Sequence, residues 1–370
     1  MAKRQAKSRI KFFVVILLVV LVGFGAGFGI PFGIKCAKKN ELIGLGYSQE
    51  VASYILKIDA FEQFTNIGYN ETLSHILLKE EYEASKLDSY IKIDYVDIED
   101  FLPITNQLLA KNYSPDDINF IFKRFSHDDI TVLLQRDYLA ELQDYFSIDY
   151  AKLRDLDRYL AYKESTNADY EQTVLNVALN LDLDEYESDY ENTDFALDML
   201  VNKNFSVSED FEPENLVEAG NGFYLNQEAY DAFLQMQEAA KTDGLSIEIN
   251  SAYRSVAEQK EVMNSQCRSY GDSYCKSHVA VPGFSEHHTG LALDIKSTNS
   301  AVFEYSKEFN WVIEHAADYG FILRYPEDKE DITRYSYEAW HFRYLGKDLA
   351  QKVKDSGLSY EEYYVKNIEK

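Results

Sequence analysis

The chain has 370 residues, 46% of them hydrophobic, which is enough for two packed domains and too apolar for wholesale disorder. Its formal net charge of −26 excludes the basic surface that nucleic-acid binding needs and works against docking of the folded part on anionic lipid. The three cysteines, Cys36, Cys267 and Cys275, form no CxxC pair, so a structural cysteine-type zinc site is not indicated.

Residues 1–11 carry Lys3, Arg4, Lys7, Arg9 and Lys11 with no acidic residue, and read as a cytoplasmic basic tail. From Phe12 to Ile34 the chain runs 23 residues without a charge, close to the roughly 20 apolar residues that cross a bilayer core. This stretch is expected to be a transmembrane anchor over 12–34. The basic side stays cytoplasmic, which places the rest of the chain outside in a single-pass arrangement. The rival reading is a cleaved signal peptide, but the run is long for one and no Ala-x-Ala site follows it. Cys36 then reads as a free juxtamembrane thiol.

Residues 41–195 are expected to form an all-α, repeat-like spacer. Tyr47-Ser48, Tyr69-Asn70 and Tyr113-Ser114 each precede an apolar pattern at helical spacing. The first two lie 22 residues apart, and the third falls two such periods later. Ser and Asn suit the N-cap position, and Ser114-Pro115-Asp116-Asp117 adds proline at the first helical position. Ser126 and Ser147 look like further caps. The acidic run over 182–194 reads as an exposed linker; it lacks the glycine of an EF-hand loop. A catalytic domain is expected over 196–370. Within it a helix is predicted over 227–243, closed by Gly244, then a strand over 246–251 that delivers Tyr253-Arg254-Ser255, then a helix over 256–266 carrying Gln259 in its first turn. Cys267 and Cys275 close a short loop and are left as either a disulfide or two reduced thiols.

The chemistry concentrates in Ser285-Glu286-His287-His288-Thr289-Gly290-Leu291-Ala292-Leu293-Asp294 and in Glu338-Ala339-Trp340-His341. From Gly290 onward the residues alternate with period 2, as in a half-buried strand with a carboxylate on its polar face. His287, Asp294 and His341 make a three-ligand set for a zinc ion with a fourth position open. Glu338 stands where it could take a proton from a water held there. Arg254 has two uses at such a site, to stabilise an oxyanion or to clamp a carboxylate.

These motifs resemble the VanY-type D-alanyl-D-alanine carboxypeptidases of the M15 zinc metallopeptidases. Ser251-Ala252-Tyr253-Arg254-Ser255 with Gln259, and Gly320-Phe321-Ile322-Leu323-Arg324-Tyr325-Pro326, add matching pieces in the same order, so the likeness covers roughly residues 200–350. The resemblance implies an α+β domain, a small and mainly antiparallel sheet with flanking helices. It also implies His287, Asp294 and His341 as ligands of one catalytic Zn2+, with His288 non-ligating. Glu338 is then the general base and Arg254 the oxyanion stabiliser, while Gln259 and Ser285 hold the substrate's terminal carboxylate. The implied reaction removes the terminal D-Ala of peptidoglycan stem peptides. An L,D-carboxypeptidase acting on tetrapeptide stems is the first alternative, and a catalytically silent wall-binding protein the second. The segment His278-Val279-Ala280-Val281-Pro282-Gly283 departs from the family's usual loop.

Overall fold

The computed structural model describes residues 33–188 and 190–369. The chain divides into two compact units between Gln143 and Asp144. Among the described residues no helix is long and apolar enough to cross a membrane. The basic tail and most of the expected anchor over 12–34 lie outside those residues. Gly33 and Ile34, its last two, belong to a helical stretch over 33–45 that carries Lys35, Lys38, Lys39 and Glu41. Charges at that density are costly in hydrocarbon. The expected architecture is corrected accordingly: among the described residues the fold is a helical region plus a mixed helix-and-sheet domain, with no membrane-crossing helix. The single-pass membrane localisation with a cytoplasmic N-terminus is corrected with it.

The N-terminal unit repeats one local device. A left-handed residue is followed by tyrosine and then by a cap: Gly46 (φ 121), Tyr47 and Ser48; Gly68 (φ 80), Tyr69 and Asn70; Asn112 (φ 73), Tyr113 and Ser114. Ser48 accepts from the amide of Val51, Asn70 from that of Leu73, and Ser114 from that of Asp117 in a reciprocal capping box. Neighbouring repeats are stitched by the same residues. The Tyr47 hydroxyl donates to Gly68 O at 2.8 Å and accepts from the Asn70 amide at 3.2 Å, while the Asn70 side chain donates to Ile91 O at 3.0 Å. Ser126 caps the His127–Leu134 helix. No helix begins behind Ser147; the next helical turn is Leu153–Asp155.

In the C-terminal unit, β1 (Glu191–Asn192) pairs in parallel with β2 (Ser206–Val207), so the acidic run read as a linker contributes a short strand. Strands β3 (Leu216–Glu218) and β4 (Tyr224–Asn226) form a hairpin that leads into the Gln227–Thr242 helix. The central sheet comprises β5 (Ile247–Ser251), β6 (Ala292–Ser297), β7 (Phe321–Leu323) and β8 (His341–Tyr344) in the order β5-β6-β8-β7. All of its pairings are antiparallel. Alternation sorts its faces. Ile247, Ile249, Leu293, Ile295 and Phe342 pack with Phe233 and Met236 of the Gln227–Thr242 helix and with Val312 of the Lys307–His315 helix. The opposite face carries Asp294, His341 and Arg343. The Val256–Tyr270 and Asp272–His278 helices are joined by a Cys267–Cys275 disulfide.

Replacing Ser114 by alanine removes the cap and is expected to destabilise the N-terminal unit by about 1 kcal/mol. The shift should appear in the urea midpoint at unchanged slope, with Ser114→Asn retaining wild-type behaviour.

Candidate active site

The sheet register brings the site together. Asp294 on β6 lies directly across from His341 on β8, and Ala292 lies across from Arg343, so the small Ala292 leaves space beside a guanidinium. His287 sits in the 3-10 turn Glu286–Thr289 that feeds β6. The turn closes on Gly290 at φ 66, a left-handed conformation that favours glycine, and an added Cβ would also stand 2.8 Å from Leu216 Cδ2, so that side chain would have to move. The segment that follows β5 reaches the same place and supplies the Ala252 carbonyl and Arg254.

His287, Asp294 and His341 are all buried, and one ligand atom from each lies within 4.8 Å of the others. His287 Nδ1 donates to Ala252 O at 2.7 Å, which leaves Nε2 as a lone pair 3.5 Å from Asp294 Oδ1. His341 Nε2 faces Glu286 Oε2 at 3.4 Å, which turns Nδ1 toward Asp294 Oδ1 at 3.3 Å. Asp294 Oδ1 is buried and satisfied by no hydrogen bond. Three acceptors therefore converge on one point, an arrangement that calls for positive charge. Burial, with Arg254 nearby, pushes His287 down to about 4. Burial also pulls on His341, but Asp294 and Glu286 outweigh it and push it up to about 9. A proton on His341 or a metal ion supplies the charge, and two imidazoles with one carboxylate are a donor set that zinc accepts.

Behind His341 stands a network of buried charges that the sequence reading did not single out. Glu286 Oε1 accepts from Arg324 Nε at 2.7 Å and from Arg343 Nη1 at 3.0 Å. Arg324 also makes a two-pronged contact with Glu361 at 2.8 and 2.6 Å. Arg343 adds bonds to the carbonyls of Leu197 and Met199. Burial acts against the charge on Glu286, but the two arginines hold its carboxyl well below the usual range. Glu286 thereby fixes the tautomer and the ring angle of His341.

The cavity beside the triad, about 150 Å³, is lined by Arg254, Gln259, Ser285, Tyr274, Tyr335, Glu338 and Trp340 among others. Glu338 Oε2 is 3.9 Å from His341 Nδ1, and burial, with Asp294 nearby, pushes Glu338 up to about 8. Arg254 is largely buried, and its Nε has no partner. The Gln259 amide donates to Ala280 O at 2.7 Å, using one of its two hydrogens, and its Oε1 is unpartnered. Ser285 Oγ accepts from the His287 amide at 3.4 Å, which leaves its hydroxyl hydrogen free to donate. His288 points elsewhere. Its Nδ1 donates to Arg254 O at 2.7 Å, and its Nε2 accepts from the Gly283 amide at 3.1 Å.

Comparison with known proteins matches this part of the chain to one family. The family model described as VanY, D-alanyl-D-alanine carboxypeptidase, matches residues 222–347, which include the triad, Glu338, Arg254, Gln259 and Ser285. YodJ of Bacillus subtilis is 41% identical over 182 residues, 45% of this chain and 66% of that protein. The bifunctional D-Ala-D-Ala dipeptidase and D-Ala-D-Ala carboxypeptidase VanXYC of Enterococcus gallinarum is 36% identical over 177 residues, 45% of this chain and 92% of that protein. Among solved structures, a variant of the vancomycin-resistance D,D-pentapeptidase VanY in complex with Zn(II) is 32% identical, with a TM-score of 0.42, over 45% of this chain and 97% of that one. With a relative matched over nearly its whole length at this identity, and with the motif residues converging around one cavity, the chain belongs to the VanY family of D-alanyl-D-alanine carboxypeptidases.

Proposed function

We propose that the C-terminal unit is a zinc-dependent carboxypeptidase that removes the terminal D-Ala from peptidoglycan stem peptides ending in D-Ala-D-Ala. The observation that carries this reading is the convergence of three buried acceptors, His287 Nε2, Asp294 Oδ1 and His341 Nδ1, beside a cavity that also presents a carboxylate and an unpaired guanidinium nitrogen. A zinc ion at those ligands supplies Lewis acidity and a nucleophilic water at neutral pH.

The protein groups have distinct tasks. Glu338 takes the proton of the attacking water on its carboxylate and returns it to the leaving amine. Burial raises its affinity for the proton that it returns to the amine, and the positive charge of a zinc ion at the neighbouring ligands would hold it ionised for the first transfer. Arg254 faces the charge that grows on the carbonyl oxygen. Its buried, unpartnered Nε is a donor held ready there, where burial makes such a donor count for more than in bulk water. The free Ser285 hydroxyl hydrogen and the second Gln259 amide hydrogen are donors for the substrate's terminal carboxylate. Trp340 lies between the base and the last ligand, 38% exposed, and forms part of the rim.

The full chain, loaded with zinc, is expected to release one D-Ala from a pentapeptide stem. Glu338→Gln should bind zinc stoichiometrically and lose at least about 100-fold in rate, the usual scale of a general base. Cleavage of a tetrapeptide stem alone would move the enzyme to the L,D class, and cleavage of neither with zinc bound would end the stem-peptide reading. A second expectation concerns the histidine's support. Glu286→Gln should weaken zinc affinity by about 10- to 100-fold in chelator competition, whereas a control Ser53→Ala on the exposed face of an N-terminal-unit helix should not. Glu361→Ala leaves Arg324 short of its buried partner and should cost about 3–5 kcal/mol in denaturant unfolding.

A further inference from the structure

The segment ahead of the family-matched residues packs against the walls of the cavity. Residues 180–187 form a strap. The Asn204 amide donates to Asn180 O at 2.7 Å, Tyr186 N donates to Lys203 O at 2.9 Å, and Arg334 donates to the carbonyls of Leu181 and Leu183 at 3.0 and 2.9 Å. Tyr186 holds φ at 69, a left-handed conformation that a bulky residue keeps only where its surroundings fix it. Its ring meets Phe284 edge-on with centroids 5.0 Å apart, one residue before Ser285.

Lys203 is the hub of this arrangement. Its side chain is 2% exposed. The ammonium lies 3.1 Å from Glu185 Oε1 on the strap, donates to Lys276 O at 2.7 Å, and stands 4.8 Å above the centre of the Tyr335 ring. An ammonium has three hydrogens, and these three partners use them. The partners belong to three separate stretches. One is the strap. The second is the Asp272–His278 helix, whose Tyr274 and His278 line the cavity. The third leads into Glu338, and its Tyr335 also lines the cavity. Neither Lys203 nor the strap lines the cavity itself.

We propose that Lys203 is a positioning residue for substrate binding: its ammonium holds the Tyr274–His278 wall and the Tyr335 wall at a fixed separation, and Glu185 on the strap supplies the charge that keeps the ammonium buried. This rests on reading the cavity as the stem-peptide site. Loss of the hub loosens the walls without disturbing the zinc ligands, which the sheet register and Glu286 hold independently.

The test uses the full chain with zinc, as wild type, Lys203→Met and Glu185→Gln. Hydrogen exchange should rise about tenfold over residues 272–284 and 334–336 in both variants, with the amides of Glu338, β6 and β8 unchanged, because only local opening is affected and the Glu338 amide is held by Tyr325 O. In the same variants KM for the pentapeptide stem should rise about tenfold while kcat stays within about twofold and zinc remains stoichiometric, the pattern of lost ground-state binding. Unchanged exchange in the two walls overturns the proposal, and so does an unchanged KM or a fall in kcat that accompanies loss of zinc. If Lys203→Met does not fold, Glu185→Gln decides alone, since Glu185 is partly exposed and its replacement is nearly isosteric. If the wild type cuts no stem peptide, the functional reading fails, and the exchange comparison still decides whether Lys203 couples the walls.

Discussion

Four charges with almost no access to water stand behind the site: Glu286, Arg324, Arg343 and Glu361. Two carboxylates and two guanidiniums cancel in sign, and their desolvation cost is offset only because nearly every donor and acceptor is matched at hydrogen-bond distance. The network ties together the turn before β6, the end of β7, the middle of β8 and the C-terminal helix that begins at Tyr360. It also meets His341, so the same charges that close the core set the orientation of a ligand. Structural and chemical demands on Glu286 cannot be separated, because one carboxylate answers to both.

The apolar face of the sheet is simpler. It packs on two helices by ordinary hydrophobic burial, and its side chains could exchange among aliphatic types of similar volume at modest cost. The polar face has no such latitude. The difference follows from direction: a buried methyl group has no preferred partner, whereas a buried guanidinium needs each of its hydrogens met.

How much of this was legible in the sequence depends on how local the signal is. Alternation from Gly290 onward marks β6, and the spacing of His287, Asp294, Glu338 and His341 marks chemistry that the structure gathers around one cavity. The Gln227–Thr242 helix ends within a residue of where its glycine signal puts it. Arg324 stands inside a family-like motif, but its role does not show there, because the partner that completes it, Glu361, is 37 residues away in a stretch with no pattern of its own. Lys203 and Glu185 were invisible for the same reason. The run over 182–194 reads as a solvated linker because its acidic residues outnumber its apolar ones. Backbone hydrogen bonds and one tyrosine override that composition, and neither leaves a periodic trace. The membrane-span reading rested on apolar length alone, and the described helix at its edge is rich in lysine.

His288 shows how a sequence with two adjacent histidines avoids ambiguity. A slip of one residue in the turn would offer the neighbour's imidazole to the cavity in place of His287, and nothing in imidazole chemistry distinguishes the two. The backbone does. With one ring nitrogen committed to Arg254 O and the other to the Gly283 amide, His288 has no lone pair to spare, and a shifted frame would break both bonds at once. The spare imidazole therefore acts as an index pin: it keeps the turn in one reading frame and takes itself out of competition for the ion.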